Sequence, residues 1–312
     1  MEKENQTSVS GFLLLGLSNR AEQRRVLFVL FLWIYLLRVL GSLLIVLAIG
    51  SDPHLHTPVY FFLTNLSLAD ICLLSTIVPK MLVGIQTQDK SISYVGCLTQ
   101  IYFFAFLIGL DQFLLIGMAY DRYLAVCHPL RDTTIMSPRR CALVVAGAWI
   151  VTSLHALTHT LLVDRLSFCS SLEILQFYCD FYQVLRLSCS DIFINEVGIF
   201  VAAIGLVIIP LTGLLFSYAR IVSTRLTVPS AKGRYKAFST CGSHLSGVSL
   251  FYSTSHGTYL CPTSNQTSRL GSIASVMYTL VTPMLNPFIY SLRNKDMKGA
   301  LKKLVSRERI FT

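Results

Sequence analysis

The side chains able to do chemistry in this sequence are few, and most of them interrupt long apolar runs. Asp70 falls inside the run 58–82 and Asp111 inside 97–120, where a carboxylate is rare and a functional suspect. Two carboxylates buried close together cannot both ionise cheaply, so they would share a proton or hold a cation; the plainer alternative is a polar knot that only pins the two segments. Asp111 precedes Arg122 by eleven residues, three helical turns, which puts the two on roughly one face. Arg122 closes its run in Met118-Ala119-Tyr120-Asp121-Arg122-Tyr123, an acid, a base and aromatic rings at the run's exit. Asp121 can hold Arg122 in a resting ion pair that a partner protein competes away, or the two only anchor the segment at a membrane edge. His155 and His159 stand one turn apart, but no third ligand accompanies them and buried polar packing is the expected role. No nucleophile–base pair, phosphate loop or metal cluster is visible, so the sequence does not read as an enzyme.

What must position these groups is a membrane frame. The 312 residues are 53% hydrophobic and 13% charged, about half the charge of a soluble protein. Seven apolar runs are long enough to cross about 30 Å of hydrocarbon, near 26–50, 58–82, 97–120, 141–163, 197–220, 237–260 and 271–292. No linker, repeat or low-complexity tract divides them, and backbone groups in lipid must be satisfied within each segment. The expected fold is an all-α membrane protein in one domain, 1–312, with an outer tail 1–25, a helix bundle 26–292 and an inner segment 293–312. The apolar stretch Gly11 to Leu17 is far too short to span, and the first long run is expected to serve as the insertion signal. Of the 26 lysines and arginines, sixteen fall on the side of the carboxyl tail and nine on the other. This places the tail in the cytoplasm and the amino terminus outside. The net charge of +10 is thereby membrane topology, and nucleic acid is not an expected partner. After Arg293, basic Lys295, Lys298, Lys302 and Lys303 alternate with apolar Met297, Leu301, Leu304 and Val305 at helical spacing, which predicts a short amphipathic helix lying on anionic lipid.

The same topology sorts the remaining chemistry. Asn5-Gln6-Thr7 is a glycosylation acceptor on the outer tail, whereas Asn65 lies within the second run, out of reach. Of the nine cysteines, Cys97, Cys169, Cys179, Cys189 and Cys261 fall on the outer side, where disulfides persist, and Cys72, Cys127, Cys141 and Cys241 are expected as thiols. Spacing leaves the pairing open. Pro210, Pro283 and Pro287 interrupt the fifth and seventh runs and permit kinks.

Several motifs together resemble one family. MAYDRYLAVCHPL at 118–130, Leu55-His56-Thr57-Pro58, Leu68-Ala69-Asp70, Ser217-Tyr218, KAFSTCGSHL at 236–245 and PMLNPFIY at 283–290 are similar to odorant receptors of the rhodopsin-like G-protein-coupled superfamily. The details look most like a family-1, class II receptor, and the likeness runs along nearly the whole chain. It implies a seven-transmembrane-helix bundle, and disulfides Cys97–Cys179 and Cys169–Cys189. It also implies a coupling switch of Asp121, Arg122, Tyr123, Tyr218, Asn286, Pro287 and Tyr290. Asp70 matches the acid that binds sodium in many related receptors, so a sodium ion or a shared proton is expected there. Some relatives carry a histidine three residues before Cys179; here that residue is Gln176, and no metal is assigned. By the same resemblance Phe104, Ala105, Ile108 and Gly109 face a ligand pocket opposite Ala202, Ala203 and Leu206, closed by Ser255, His256, Tyr259, Val276 and Thr279. Such a lining suits small, mostly apolar volatiles with one polar group. The implied output is activation of a stimulatory olfactory G protein and a rise in cAMP at the plasma membrane. The rival classes are a receptor-like chain that folds or signals poorly and a transporter, which would show inverted repeats and pore charges, and neither is visible.

The sequence departs from the family in its first run. Ser42 stands where relatives usually have Asn, Asp132 where they commonly have Tyr, and Arg38 lies midway between 26 and 50. A charge at that depth costs roughly 2.5–3.5 kcal/mol. If the face shared by Arg38 and Ser42 points inward, Arg38 approaches Asp70 and occupies the ion site. Weak surface expression or a raised activation threshold, with the fold retained, is the expected consequence.

Overall fold

The computed structural model describes residues 10–15, 21–128, 135–169, 172–226 and 295–308, with Gly242, Ser249, Ser253 and Val276 singly. Long helices dominate: α1 Ala21–Ser51, α2 Pro58–Thr87, α3 Tyr94–Cys127 and α4 Pro138–Asp164. A fifth helical rod runs from α6, Phe193–Ala203, through a π turn at Ile204–Ile208 into α7, Ile209–Leu226. A short α5, Phe181–Arg186, lies in the loop before it, and α8, Lys295–Glu308, lies near the carboxyl end. Among the described residues five helices are long and apolar enough to cross a membrane, spanning Gln23–Ser51, Pro58–Thr87, Tyr94–Cys127, Pro138–Asp164 and Phe193–Thr224. Each extends beyond the apolar run that marks it, because helical hydrogen bonding continues into the polar flanks. The runs 237–260 and 271–292 lie outside the described residues, apart from the four single positions.

Local chemistry sets the boundaries. Pro58 and Pro138 open α2 and α4, positions where a missing N–H is no loss. Ser93 caps α3, its hydroxyl accepting from the Gly96 N–H at 3.1 Å, which satisfies one of the orphan donors of the first turn. The π turn has a cause in Pro210: with no N–H to donate to the Leu206 carbonyl, the chain widens, and the Ile209 N–H reaches back to the carbonyl of Ile204. Asn65, in the second triplet, donates to the Phe61 carbonyl at 2.9 Å inside α2.

One feature differs from an all-helical expectation. Gly11–Leu14 forms β1, the centre of a three-stranded sheet, antiparallel to β2 (Ser91–Ser93) and parallel to β3 (Glu173–Ile174). The short apolar run at 11–17, unable to span, buries Phe12 and Leu14 against Cys97, Ile101 and Ile174 at the outer end. Gly11 is required there, since a Cβ would come within 2.3 Å of the Ile92 carbonyl oxygen.

α3 is the central helix. Its Leu110, Leu114, Leu115 and Met118 join Leu66, Leu73, Leu74 and Ile77 of α2 and Val145, Ala148 and Ala156 of α4 in the main core. At the other end Met297 and Ala300 of α8 are buried in that same core while Lys298, Lys302 and Lys303 stay exposed. Lys303 donates to Asp52 at 3.2 Å, fixing α8 to the turn after α1. Hydrogen bonds from the His54 ring and backbone, and then from Lys303, pull the Asp52 carboxyl down to about 2.

Candidate functional site

Arg38 is not at the lipid face. It is 1% exposed, and its Nη2 donates to the Asp70 carboxylate, itself 0% exposed. Asp111, on α3 and 1% exposed, acts electrostatically on both. Arg38 and Asp70 thus form a buried ion pair between α1 and α2, with Asp111 of α3 near enough to act on it electrostatically. The buried hydroxyls of Ser42, one turn beyond Arg38, and Ser67, one turn before Asp70, have no hydrogen-bond partner among the described residues, and neither do Oδ1 of Asp70 and Oδ1 of Asp111. A sodium ion at Asp70, as the resemblance implies, does not fit these residues: the guanidinium already holds the carboxylate and repels a second cation.

At the inner end of α3, Asp121 is buried and Arg122 half-buried. Arg122 lies within electrostatic reach of Tyr60 on α2. Tyr218 of α7 is buried against Ala119 and Tyr123, and the Tyr123 hydroxyl lies 3.2 Å from His128 Nε2. Asn286, Pro287 and Tyr290 lie outside the described residues, as do Asn5, Asp132, Ser255, His256, Tyr259 and Thr279. Val276 is helical and packs half-buried against the main core.

At the outer end a lid sits over α3. Cys97 is bonded to Cys179 and Cys169 to Cys189, with Cα separations of 5.4 and 6.0 Å. Gln100, one turn below Cys97, accepts from the Cys179 N–H at 3.1 Å and donates to the Thr76 carbonyl of α2 at 3.1 Å. The pinned loop lays Tyr178 on Phe104, with ring centroids 5.3 Å apart, and Phe177 on Tyr178 at 5.2 Å. Asp180 then starts α5 by accepting from the N–H groups of Tyr182 and Gln183. Burial, and then the Asp180 carboxylate, raise the Tyr182 phenol above its ordinary range. Gln100 and Tyr178 were missed in the sequence, although the three-residue step from Cys97 to Gln100 puts both on one helix face.

Of the pocket residues on α3, Phe104 and Ile108 are buried and Ala105 is half-buried. At Gly109 a Cβ would meet Thr152 of α4 at 3.1 Å, so its bare backbone allows the close α3–α4 contact. Across the bundle Ala202, Ala203 and Leu206 are half-buried, while Val201, Ile204 and Ile208 are exposed. They belong to a rod held at two levels. Gly198 rests near His159 of α4, and Leu214, Tyr218 and Ile221 pack against Ala119 of α3. The His155 and His159 rings are 4.4 Å apart, with Phe181 edge-on to His159. Among the described residues no group of three or more histidines, cysteines or acids could hold a metal.

Comparison with known proteins points to one family for this chain. The family model described as olfactory receptor matches residues 31–308. Human olfactory receptor 7D4 is 56% identical over 307 residues, 98% of each chain. Mouse olfactory receptor 1M1 is 55% identical over 308 residues, 99% of this chain and 98% of its own. The dog olfactory receptor-like protein OLF4 is 55% identical over 301 residues, 96% and 97% of the two. The chain belongs to the olfactory receptor family, non-enzymatic membrane receptors that signal through G proteins.

Proposed function

We propose that this receptor binds a small, mostly apolar odorant beneath the Tyr178–Phe104 stack, between α3 and the widened turn at 204–208. The observation that carries this reading is the pinned lid. Cys97–Cys179 and Gln100 fix two aromatic rings over the outer end of α3, directly above the face that presents Ala105 and Ile108. Opposite, Ala202, Ala203 and Leu206 are small or flexible and lie at or just before the turn where the helix departs from regular hydrogen bonding, a common place for function. Ser255, His256, Tyr259, Val276 and Thr279 complete the lining. An apolar wall with a few hydroxyls suits an alcohol, aldehyde, ketone or ester. No carboxylate stands at Phe104 to pair with an amine. The chain is one domain of seven membrane helices at the plasma membrane, amino terminus outside, with α8 lying on the inner leaflet. Its partner is the stimulatory olfactory G protein, and the output is cAMP.

Ligand-screened cAMP measurement in transfected cells tests this reading. Once an active odorant is found, Ile108→Trp fills the space under the lid and is expected to raise the half-maximal concentration at least about tenfold, the effect of ~1.4 kcal/mol. Unchanged potency in Ile108→Trp removes this pocket from consideration.

The outer tail carries the glycan. N-glycosidase treatment is expected to lower the apparent mass of the parent but not of Asn5→Gln. A mass change that persists in Asn5→Gln and vanishes in Asn65→Gln would overturn the topology.

A further inference from the structure

We infer that Arg38 is a built-in counter-ion: its guanidinium holds, from within the chain, the place beside Asp70 and Asp111 that a dissociable cation would take, and the folded receptor is therefore indifferent to bulk sodium. The inference rests on the membrane-receptor reading, but its test reads stability without odorant or G protein, so the two fail separately.

Oxygen donors of a hard cation stand on the three helices that meet here: the Asp70 carboxylate on the guanidinium, Asp111 acting on it electrostatically, and the buried hydroxyls of Ser42 and Ser67, one turn from Arg38 and Asp70, without a partner among the described residues. Oxygen-rich sets of this kind suit ions such as sodium, magnesium or calcium rather than softer metals. Here the positive charge already present is covalently attached. It cannot leave on dilution and, being a guanidinium, cannot be deprotonated. A second cation would sit against it in a medium where like charges repel strongly. The same geometry makes the site latent. Replacing Arg38 by Met removes the charge and the planar donor group but leaves all four oxygen-bearing side chains, so a small monovalent cation gains a place.

The experiment follows thermal unfolding of the purified receptor in sodium chloride and in choline chloride at about 0.15 M, where long-range screening is equal. The parent is expected to unfold at the same temperature in both salts. Arg38→Met is expected to unfold several degrees higher in sodium than in choline, because a ligand that binds only the folded state stabilises it. That difference is expected to vanish in Arg38→Met/Asp70→Asn. Arg38→Lys keeps a tethered charge and is expected to behave like the parent. Sodium-dependent stability in the parent overturns the inference, even if no variant can be purified. It is also overturned by salt-independent unfolding of Arg38→Met, or by equal sodium gain in Arg38→Lys and Arg38→Met.

Discussion

Asp70→Asn is expected to remove most of the receptor from the cell surface, and adding Arg38→Met to restore much of it. The two partners of this buried pair are not equivalent. If Arg38 is lost, the carboxylates left behind can bind a proton or a small cation. If Asp70 is lost, a guanidinium that cannot shed its proton remains 1% exposed in the bundle. Asp111 acts on Arg38 as well, but less strongly than Asp70 does, so it softens the cost without removing it. Breaking a buried pair from one side costs about 3–5 kcal/mol, against a total stability of about 5–15 kcal/mol for a folded domain. Replacing both partners by neutral groups is often nearly neutral. Surface flow cytometry of tagged receptors should therefore rank the double variant above Arg38→Met, and Arg38→Met above Asp70→Asn. Equal surface levels for the two single variants would mean that the guanidinium finds adequate partners elsewhere.

This ranking differs from what the sequence alone implies, and the difference shows where sequence reasoning stops. Position 38 reads as a penalty because depth within the run 26–50 is legible, whereas the direction of a side chain around a helix apolar on nearly every face is not. The shared face of Arg38 and Ser42 follows from helical spacing; that it meets Asp70 does not, because it depends on how α1 packs on α2. The first five spans were legible from hydropathy, since lipid forces each segment to satisfy its own backbone. The sheet at 11–14, 91–93 and 173–174 was not. Each strand is two to four residues long, and the pairings join residues as far apart as Gly11 and Ser93 or Leu13 and Glu173, so no local period announces them. Gly109 shows a similar limit: the family resemblance places it at ligand depth, while only the approach of Thr152 shows that the missing side chain also makes room for α4.

Arg122→Ala is expected to leave surface expression near that of the parent while lowering the odorant-evoked cAMP response about tenfold or more, the scale of one lost charge-assisted contact of ~1.5–3 kcal/mol. The two halves of this expectation come from different features of the inner edge. Arg122 is half-buried rather than sealed, so truncating it opens no deep cavity, unlike a change at Asp70. Folding should be spared. Coupling should not be, because Arg122 is the cation at the inner end of the central helix, one residue from Tyr123. The Tyr123 ring joins α3 to the cluster of Ala119, Leu214, Tyr218 and Ile221. Sliding of α7 against α3 on odorant binding would be felt at this contact, beside the one strongly basic side chain of α3. Arg122→Lys separates the two roles an arginine can play there. A lysine keeps the charge but loses the planar fork that bonds several acceptors at once, so partial signalling in Arg122→Lys would assign the remainder to geometry. A cAMP reporter read alongside surface staining on the same cells decides the matter. If Arg122→Ala signals at the parent's level per surface receptor, Arg122 is only a membrane-edge anchor and the coupling role assigned to it fails.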